Sequence, residues 1–506
     1  MSNDGVDHEG VDHLLKRNIK AVLFAIVSLV ITVCPGMQDL AAHEPWRSYI
    51  YDSWLNPVPV PDSFATHMVL RGQDLGIGPF SNPSDIFYHA PTGEVFLVDT
   101  GNSRIVMLNG KMELIKVITE LDNNGVTDSF NQPLGVFVND TGIFVADTQN
   151  SRILIIDRDG NVLNEFTRPD TELIPGNITW QPRRLAVDSS GRIYVIAVGV
   201  NLGLVELDSQ GNFRNFKGAN RVSYDLGEYI LRRYFSTAEQ RARMTQYVPT
   251  EYSGLAMDNE NFIYVTTNVG LSTGFGADAV RRLNARGDDI LRRLGYFDVI
   301  GDIYTRDGAG SSLVDIAVDK NGVYSVLDRS NGRIFTYDHD GNLLDIFGGI
   351  GFRMGLLQSP VAMDYVEDNI VVIDNFMQNI TVYRPTAYGL AVRQATYLYY
   401  LGDYEGSAEN WQVVLDHNAN SDLAYVGLGR VYMHNRDFVR AMEYFRFANA
   451  HTYYSTAFGR YRRVLMQENF PIAATVAIVI GVLIFVLLRI RARRLGKETE
   501  VAYDVN

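Results

Sequence analysis

The sequence predicts an all-β six-bladed propeller followed by a small all-α helical repeat array and one transmembrane helix. Three observations carry this. A strand–turn–strand pattern recurs six times between residues 83 and 384. The period changes to about 34 residues after Pro385. An uncharged run, Pro471 to Leu488, then stops at a cluster of arginines.

Taking the elements in order, Lys16, Arg17 and Lys20 precede the apolar stretch Ala21–Val33. That stretch makes about 20 Å of helix at roughly 1.5 Å per residue, short of the ~30 Å hydrocarbon core. With the small residues Ala41-Ala42 behind it, segment 1–42 reads as a signal peptide or an N-terminal anchor. Segment 43–63 is rich in aromatics: Trp46, Tyr49, Tyr51 and Trp54.

The repeat occupies residues 64–384. Its inner strands open at Pro83, Pro133, Pro182, Tyr252, Leu313 and Pro360, roughly 50 residues apart, and about 60 to 70 apart where insertions intervene. A second strand follows each, as in Val95-Phe-Leu-Val and Ile143-Phe-Val-Ala. Several then close on an Asp/Asn/Arg corner (Asp99/Asn102/Arg104, Asp147/Asn150/Arg152, Asp328/Asn331/Arg333) and a Gly-Asn hairpin turn. Four antiparallel strands at that period make one propeller blade. The sixth unit lacks an outer strand, because the chain turns helical at Pro385. The strand-like stretch 64–70, ahead of the first unit, is expected to fill that place and close the ring, removing the exposed edges.

The Asp–x–x–Asn–x–Arg–Ile tract and the Pro–x–Gly–Val before it resemble the NHL repeat family. The likeness is strong in blades one, two and five and weak in three and four. Over residues 387–467, Leu428, Gly429, Tyr432, Ala441, Phe445 and Ala448 resemble a tetratricopeptide repeat, with a weaker first copy containing Ala395, Leu398, Ser407 and Trp411. A further partial helix is expected from about Tyr454 to Met466. So short an array buries little surface alone, so it is expected to dock on the propeller or on a membrane partner. The span 471–488 gives about 27 Å of helix at roughly 1.5 Å per residue. The basic tail 489–506, with Arg489, Arg491, Arg493, Arg494 and Lys497, places that end in the cytoplasm and the propeller and repeats outside a cell membrane.

Composition narrows function. Lys+Arg is 45 against Asp+Glu 59, a net charge of −14, which speaks against a nucleic-acid surface. The single cysteine, Cys34, leaves the rest of the chain without disulfides, zinc thiolates or a thiol nucleophile. His67, His89 and His339 lie on separate predicted elements, and no catalytic tract, cofactor motif or metal-ligand spacing appears.

Candidate sites lie where a blade breaks the pattern. The inner-strand Gly position carries Asp85, Arg184 and Asp315 in three blades, facing the channel as a ligand-binding set or as internal ion pairs. Residues 218–248 and their surroundings gather Arg232, Arg233, Arg241 and Arg243, with Arg281, Arg282, Arg292 and Arg293 further on, as an anionic-partner surface or a solvated face. The Trp46–Trp54 aromatics offer stacking faces for a sugar or protein, or packing against the propeller wall.

The whole arrangement resembles membrane proteins found with bacterial carbohydrate ABC importers. That resemblance implies a non-enzymatic extracytoplasmic scaffold or binding subunit, with the membrane, permease or solute-binding subunits and an oligosaccharide as partners. Alternatives are a cell-surface glycan receptor and a metal-dependent lactonase-like hydrolase using Asp85 and Asp315.

Overall fold

The computed structural model describes residues 44–52, 54–174, 176, 178–219, 251–267, 279–295, 297–302 and 310–503, with side chains described to residue 493. Apart from Glu44 and Pro45 these belong to one compact unit, Trp46–Asn506. The expected signal or anchor, 1–42, lies outside the described residues.

Six antiparallel sheets form the ring. Blade one runs through Pro83–His89, Glu94–Asp99, Arg104–Asn109 and Leu114–Ile118. Blades two (from Gly135–Asn139) and three (from Pro182–Val187) are likewise four-stranded. Blade four has three described strands, Tyr252–Met257, Ile263–Thr267 and Val280–Leu283. Blade five begins at Leu313–Val318 and blade six at Pro360–Val366. Each inner strand touches the next, and that of blade six returns to that of blade one.

Three short strands precede the first blade: β1 (Tyr49–Tyr51), β2 (Pro57–Pro59) and β3 (Phe64–Arg71). β3 pairs antiparallel with Asn379–Pro385 as the outermost strand of blade six, Ile380 facing Leu70 and Tyr383 facing Thr66. A sheet begun at residue 360 is thus finished by residues that precede blade one, and the ring holds no free edge at that seam. β1 pairs with the outer strand of blade five, and β2 with β1, so that sheet has six strands. A further hairpin, Glu120–Asn123 with Val126–Ser129, sits between blades one and two.

Local chemistry explains the repeats. In each Asp/Asn/Arg corner the Asp is a buried acceptor. Asp99 takes the Ser81 N–H at 2.7 Å, Asn102 Nδ2 at 2.8 Å and Arg104 Nε at 2.7 Å, and Asp147 repeats the pattern. The Gly-Asn turns are built on an Asp three residues before the Gly. Asp157, Asp208 and Asp338 each accept the N–H of the turn Asn at 2.8–2.9 Å, while Gly160, Gly211 and Gly341 supply the positive φ. Between blades the core is made by facing apolar side chains, for example Trp180, Val195 and Leu185 with Ala146 and Ile153.

Five helices follow: α1 (Ala387–Leu401), α2 (Tyr404–His417), α3 (Asp422–His434), α4 (Phe438–Phe447) and α5 (His451–Tyr503). Thr386, Asp403, Ser421 and Asp437 cap the first four by accepting a first-turn N–H. Small residues allow close helix pairs: a Cβ at Gly429 would lie 2.5 Å from the Phe445 ring, and Ser407 Oγ donates to the Ala395 carbonyl at 2.8 Å.

The array docks on the propeller. Val323 and Leu344 of blade five share a core with Tyr388, Val392, Ala395, Trp411 and Leu428. Beside them Arg393, 4% exposed, forms a 2.5 Å ion pair with Asp319. The partial helix expected at 454–466 and the membrane run are one element: α5 continues through Pro471, and its apolar window has mean hydropathy 2.9 with no burial. That helix is long and apolar enough to cross a bilayer.

Candidate functional site

The inner strands kink by one residue at the same level, with register shifts between Pro83 and Asp85, Pro182 and Arg184, and Leu313 and Asp315. Blades four and six shift likewise before Gly254 and Ala362, Gly135 of blade two holds the same level without a shift, and of this layer Asp85, Arg184 and Asp315 line the channel cavity. Arg184 of blade three spans the ring. Its Nη1 lies 2.5 Å from Asp85 Oδ1 and 3.2 Å from Asp315 Oδ1, and its Nη2 donates to the Val361 carbonyl of blade six at 3.0 Å. The other carboxylate oxygens accept main-chain N–H groups of neighbouring blades, Asp85 from Val136 at 3.0 Å and Asp315 from Met363 at 2.9 Å.

The glycines in this layer make room. A Cβ at Gly135 would fall 2.5 Å from the Arg183 carbonyl oxygen, and one at Gly254 would fall 2.7 Å from Asp315 Cα. Thus blades two and four, which flank the arginine, need Gly for close backbone approach, while blades one and five, which flank its target, carry acids.

One guanidinium serves two buried carboxyls, so the group carries an excess negative charge. Burial pushes both Asp85 and Asp315 above the usual carboxylate range against the pull of Arg184, and Asp315 is raised further by Asp85. Below them Asp364 of blade six accepts the Tyr88 N–H at 2.7 Å and the Tyr365 N–H at 2.8 Å. Desolvation, aided by Asp315 and Asp85, pushes it up to about 7. Burial also depresses Arg183 and Arg329, with the Arg184 charge adding to the effect. The remaining channel cavity is about 60 Å³, floored by Ile86, Phe137, Met257 and Val318. Asp85, Arg184 and Asp315 are therefore brought together, and what they bind is one another. Among the described residues no group of three His, Cys, Asp or Glu is placed to hold a metal ion.

The aromatic segment is mostly wall. Trp46 and Tyr51 are 7% and 1% exposed. Trp46 packs on Tyr383 and Phe347, with ring centroids 5.7 and 6.0 Å away, and Tyr51 stacks on Phe297 at 4.3 Å. The Tyr49 and Tyr51 hydroxyls both donate to Asp302. Of the two expected roles, packing against the propeller wall is the one Trp46, Tyr49 and Tyr51 take, and Trp54, 62% exposed, keeps a free face.

The arginines expected to meet a partner divide in two. Arg232, Arg233, Arg241 and Arg243 lie outside the described residues. The described ones are paired: Arg282 with Asp258 at 2.7 Å, Arg293 with Asp289 at 2.8 Å and Arg292 with Asp340 at 3.1 Å, while Arg281 faces the Gly218 and Ala219 carbonyls.

The sequence matches no family model and no curated protein. Similar solved structures include a virginiamycin B lyase from Staphylococcus aureus at 13% identity, covering 60% of this chain and 80% of that one, TM-score 0.38. A gluconolactonase from Xanthomonas campestris shares 12% identity over 65% of this chain and 97% of its own, TM-score 0.38. The β-propeller domain of Cps50 from Myceliophteria thermophila shares 8% over 64% and 100%, TM-score 0.38. The likeness is one of chain trace and assigns no activity.

Sequence reasoning missed Asp364, Arg183 and Arg329. A charge interrupting the apolar inner strand Val361-Ala-Met-Asp364 was the available signal for the first. It also missed that His339 and Asp340, in a Gly-Asn hairpin turn, face the helices.

Proposed function

We propose that this protein is a non-enzymatic, membrane-anchored binding scaffold held outside the cytoplasm, serving as an accessory of a carbohydrate ABC importer. The observation that carries the reading is the course of α5: the last helix packed in the propeller-docked array is also the helix apolar enough to span a bilayer. A ring that presents rim and loop surfaces is thereby tied to the membrane by a helix without a break. The denser basic flank, from Arg489 onward, supports an outside propeller. The Arg184 brace favours binding over catalysis, since a guanidinium occupies the space between the two channel carboxylates. Permease and solute-binding subunits are the partners this role requires.

Isolation from the native membrane in a mild detergent tests it. Permease subunits should copurify in stoichiometric amounts, and a protein that emerges alone from freshly solubilised membranes would overturn the importer role. The second reading is a lactonase-like hydrolase using Asp85 and Asp315, in which a cation would have to displace the Arg184 guanidinium between them. It requires metal-dependent lactone turnover that a chelator abolishes and Asp85→Ala removes.

A further inference from the structure

A cleft of about 300 Å³ opens where the propeller meets the helices, and it shares no lining residue with the central channel. The propeller contributes the blade-five turn Asp338–Asp340 and Arg292. The helices contribute Tyr399 and Tyr400 of α1, Trp411 of α2 and Arg430 of α3.

Its polar groups are held in place. Asp338 is fixed by the Asn342 N–H at 2.8 Å and Nδ2 at 2.9 Å. Asp340 accepts from Arg292 at 3.1 Å through one oxygen and from Arg430 through the other. The Arg430 guanidinium lies 4.2 Å over the Tyr399 ring, and Tyr400, half exposed, stacks on His339 at 3.9 Å between centroids. Two arginines against two aspartates leave the cleft without net charge.

Trp411 supplies an aromatic wall with an N–H edge. It is 3% exposed and lines the cleft, with its indole nitrogen, Nε1, close to α3. A Cβ at Gly427 would lie 2.4 Å from that nitrogen, so a glycine there leaves the indole edge its room.

The combination selects a class of ligand. A charge-balanced site offers no net attraction to an anion or a cation. Aromatic faces beside oriented carboxylate acceptors and guanidinium donors match a neutral ring whose C–H face is apolar and whose hydroxyls both donate and accept. The volume sits at the lower end of ligand pockets, roughly 300–1,000 Å³.

We propose that this cleft binds a neutral saccharide of one or two rings, stacked against Tyr400 and accepting a hydrogen bond from Trp411 Nε1. The site is independent of any permease partner, so isolated protein suffices to test it. Full-length protein in lipid nanodiscs, free of sugar-based detergent, is titrated calorimetrically with glucose, maltose and N-acetylglucosamine, and with inorganic phosphate and glucose 6-phosphate as charged comparators. At least one neutral sugar should bind saturably, and Trp411→Phe and Tyr400→Ala should each weaken it about tenfold or more. Tyr400 is exposed, so its variant keeps the fold even if Trp411→Phe does not, and Trp54→Ala should change nothing. No saturable binding by the three sugars up to about 10 mM, equal affinity in Tyr400→Ala, or tighter binding of phosphate would each overturn the proposal.

Discussion

Replacing Arg184 by Met keeps much of the side-chain length and deletes the charge, leaving Asp85 and Asp315 facing each other in the channel. Their side chains are 7% and 2% exposed, and the guanidinium they lose stood 2.5 and 3.2 Å away. Breaking a buried pair by removing one partner costs about 3–5 kcal/mol. Unfolding entropy of roughly 2.1 cal/mol/K per residue gives about 0.7 kcal/mol/K over a ring of about 320 residues, so Tm should fall by about 4–7 °C at pH 7. The pH dependence identifies the cause. Without Arg184 both carboxyls titrate higher in the folded state than their ordinary 3.8. A raised carboxyl contributes stability that is full below its unfolded pKa and is lost as pH rises through its folded one. The deficit should therefore be small near pH 4 to 5 and largest at pH 7, and adding Asp85→Asn and Asp315→Asn should restore most of the loss. Thermal unfolding followed by circular dichroism reads all of this. An Arg184→Met protein within about 1 °C of wild type at pH 7, or a deficit equal at pH 5 and 7, would refute the brace.

Asp364, pushed up to about 7, contributes stability that is full below about pH 3.8 and lost as pH rises through 7, so the Tm of Asp364→Asn should fall less than that of wild type between pH 4 and 8. Gly135→Ala should cost about 1–3 kcal/mol in denaturant unfolding, because its Cβ meets backbone that cannot move aside. A chain beginning at residue 75 loses β3 and exposes the strand Asn379–Pro385, so it should aggregate or unfold without a sharp transition; a cooperative melt like that of the full chain would show that β3 is dispensable. Trp46→Ala should cost about 3–5 kcal/mol through its lost contacts with Phe347 and Tyr383, whereas Trp54→Ala should leave the melt unchanged.

Much of this architecture was legible because each blade is a local object. Its turns are set by Asp157, Gly160 and Asn161 or their counterparts, and its corners by Asp99, Asn102 and Arg104, all within a few residues of chain. The aromatic segment was less legible. Nothing near Trp46 in the sequence reveals Tyr383 and Phe347, which lie some 300 residues away and supply the burial. The channel charges could be named from their recurring position, but their partnership depends on which blades stand opposite in the ring. Blade three faces blade six across the channel only once the ring is closed.

The sequence by itself determined the periods: six units of strands, the helix pairs after Pro385, and an apolar run bounded by arginines. These follow from spacing, capping and turn chemistry, which act over short stretches of chain. Only the tertiary structure decided what the distinctive residues do. It turned Asp85, Arg184 and Asp315 into a brace, made Trp46 and Tyr51 part of a wall, and set Trp411, Tyr400 and Asp340 around one cleft. The physical reason is that burial and charge pairing depend on distance in space, and closing a ring brings together residues that local rules never compare.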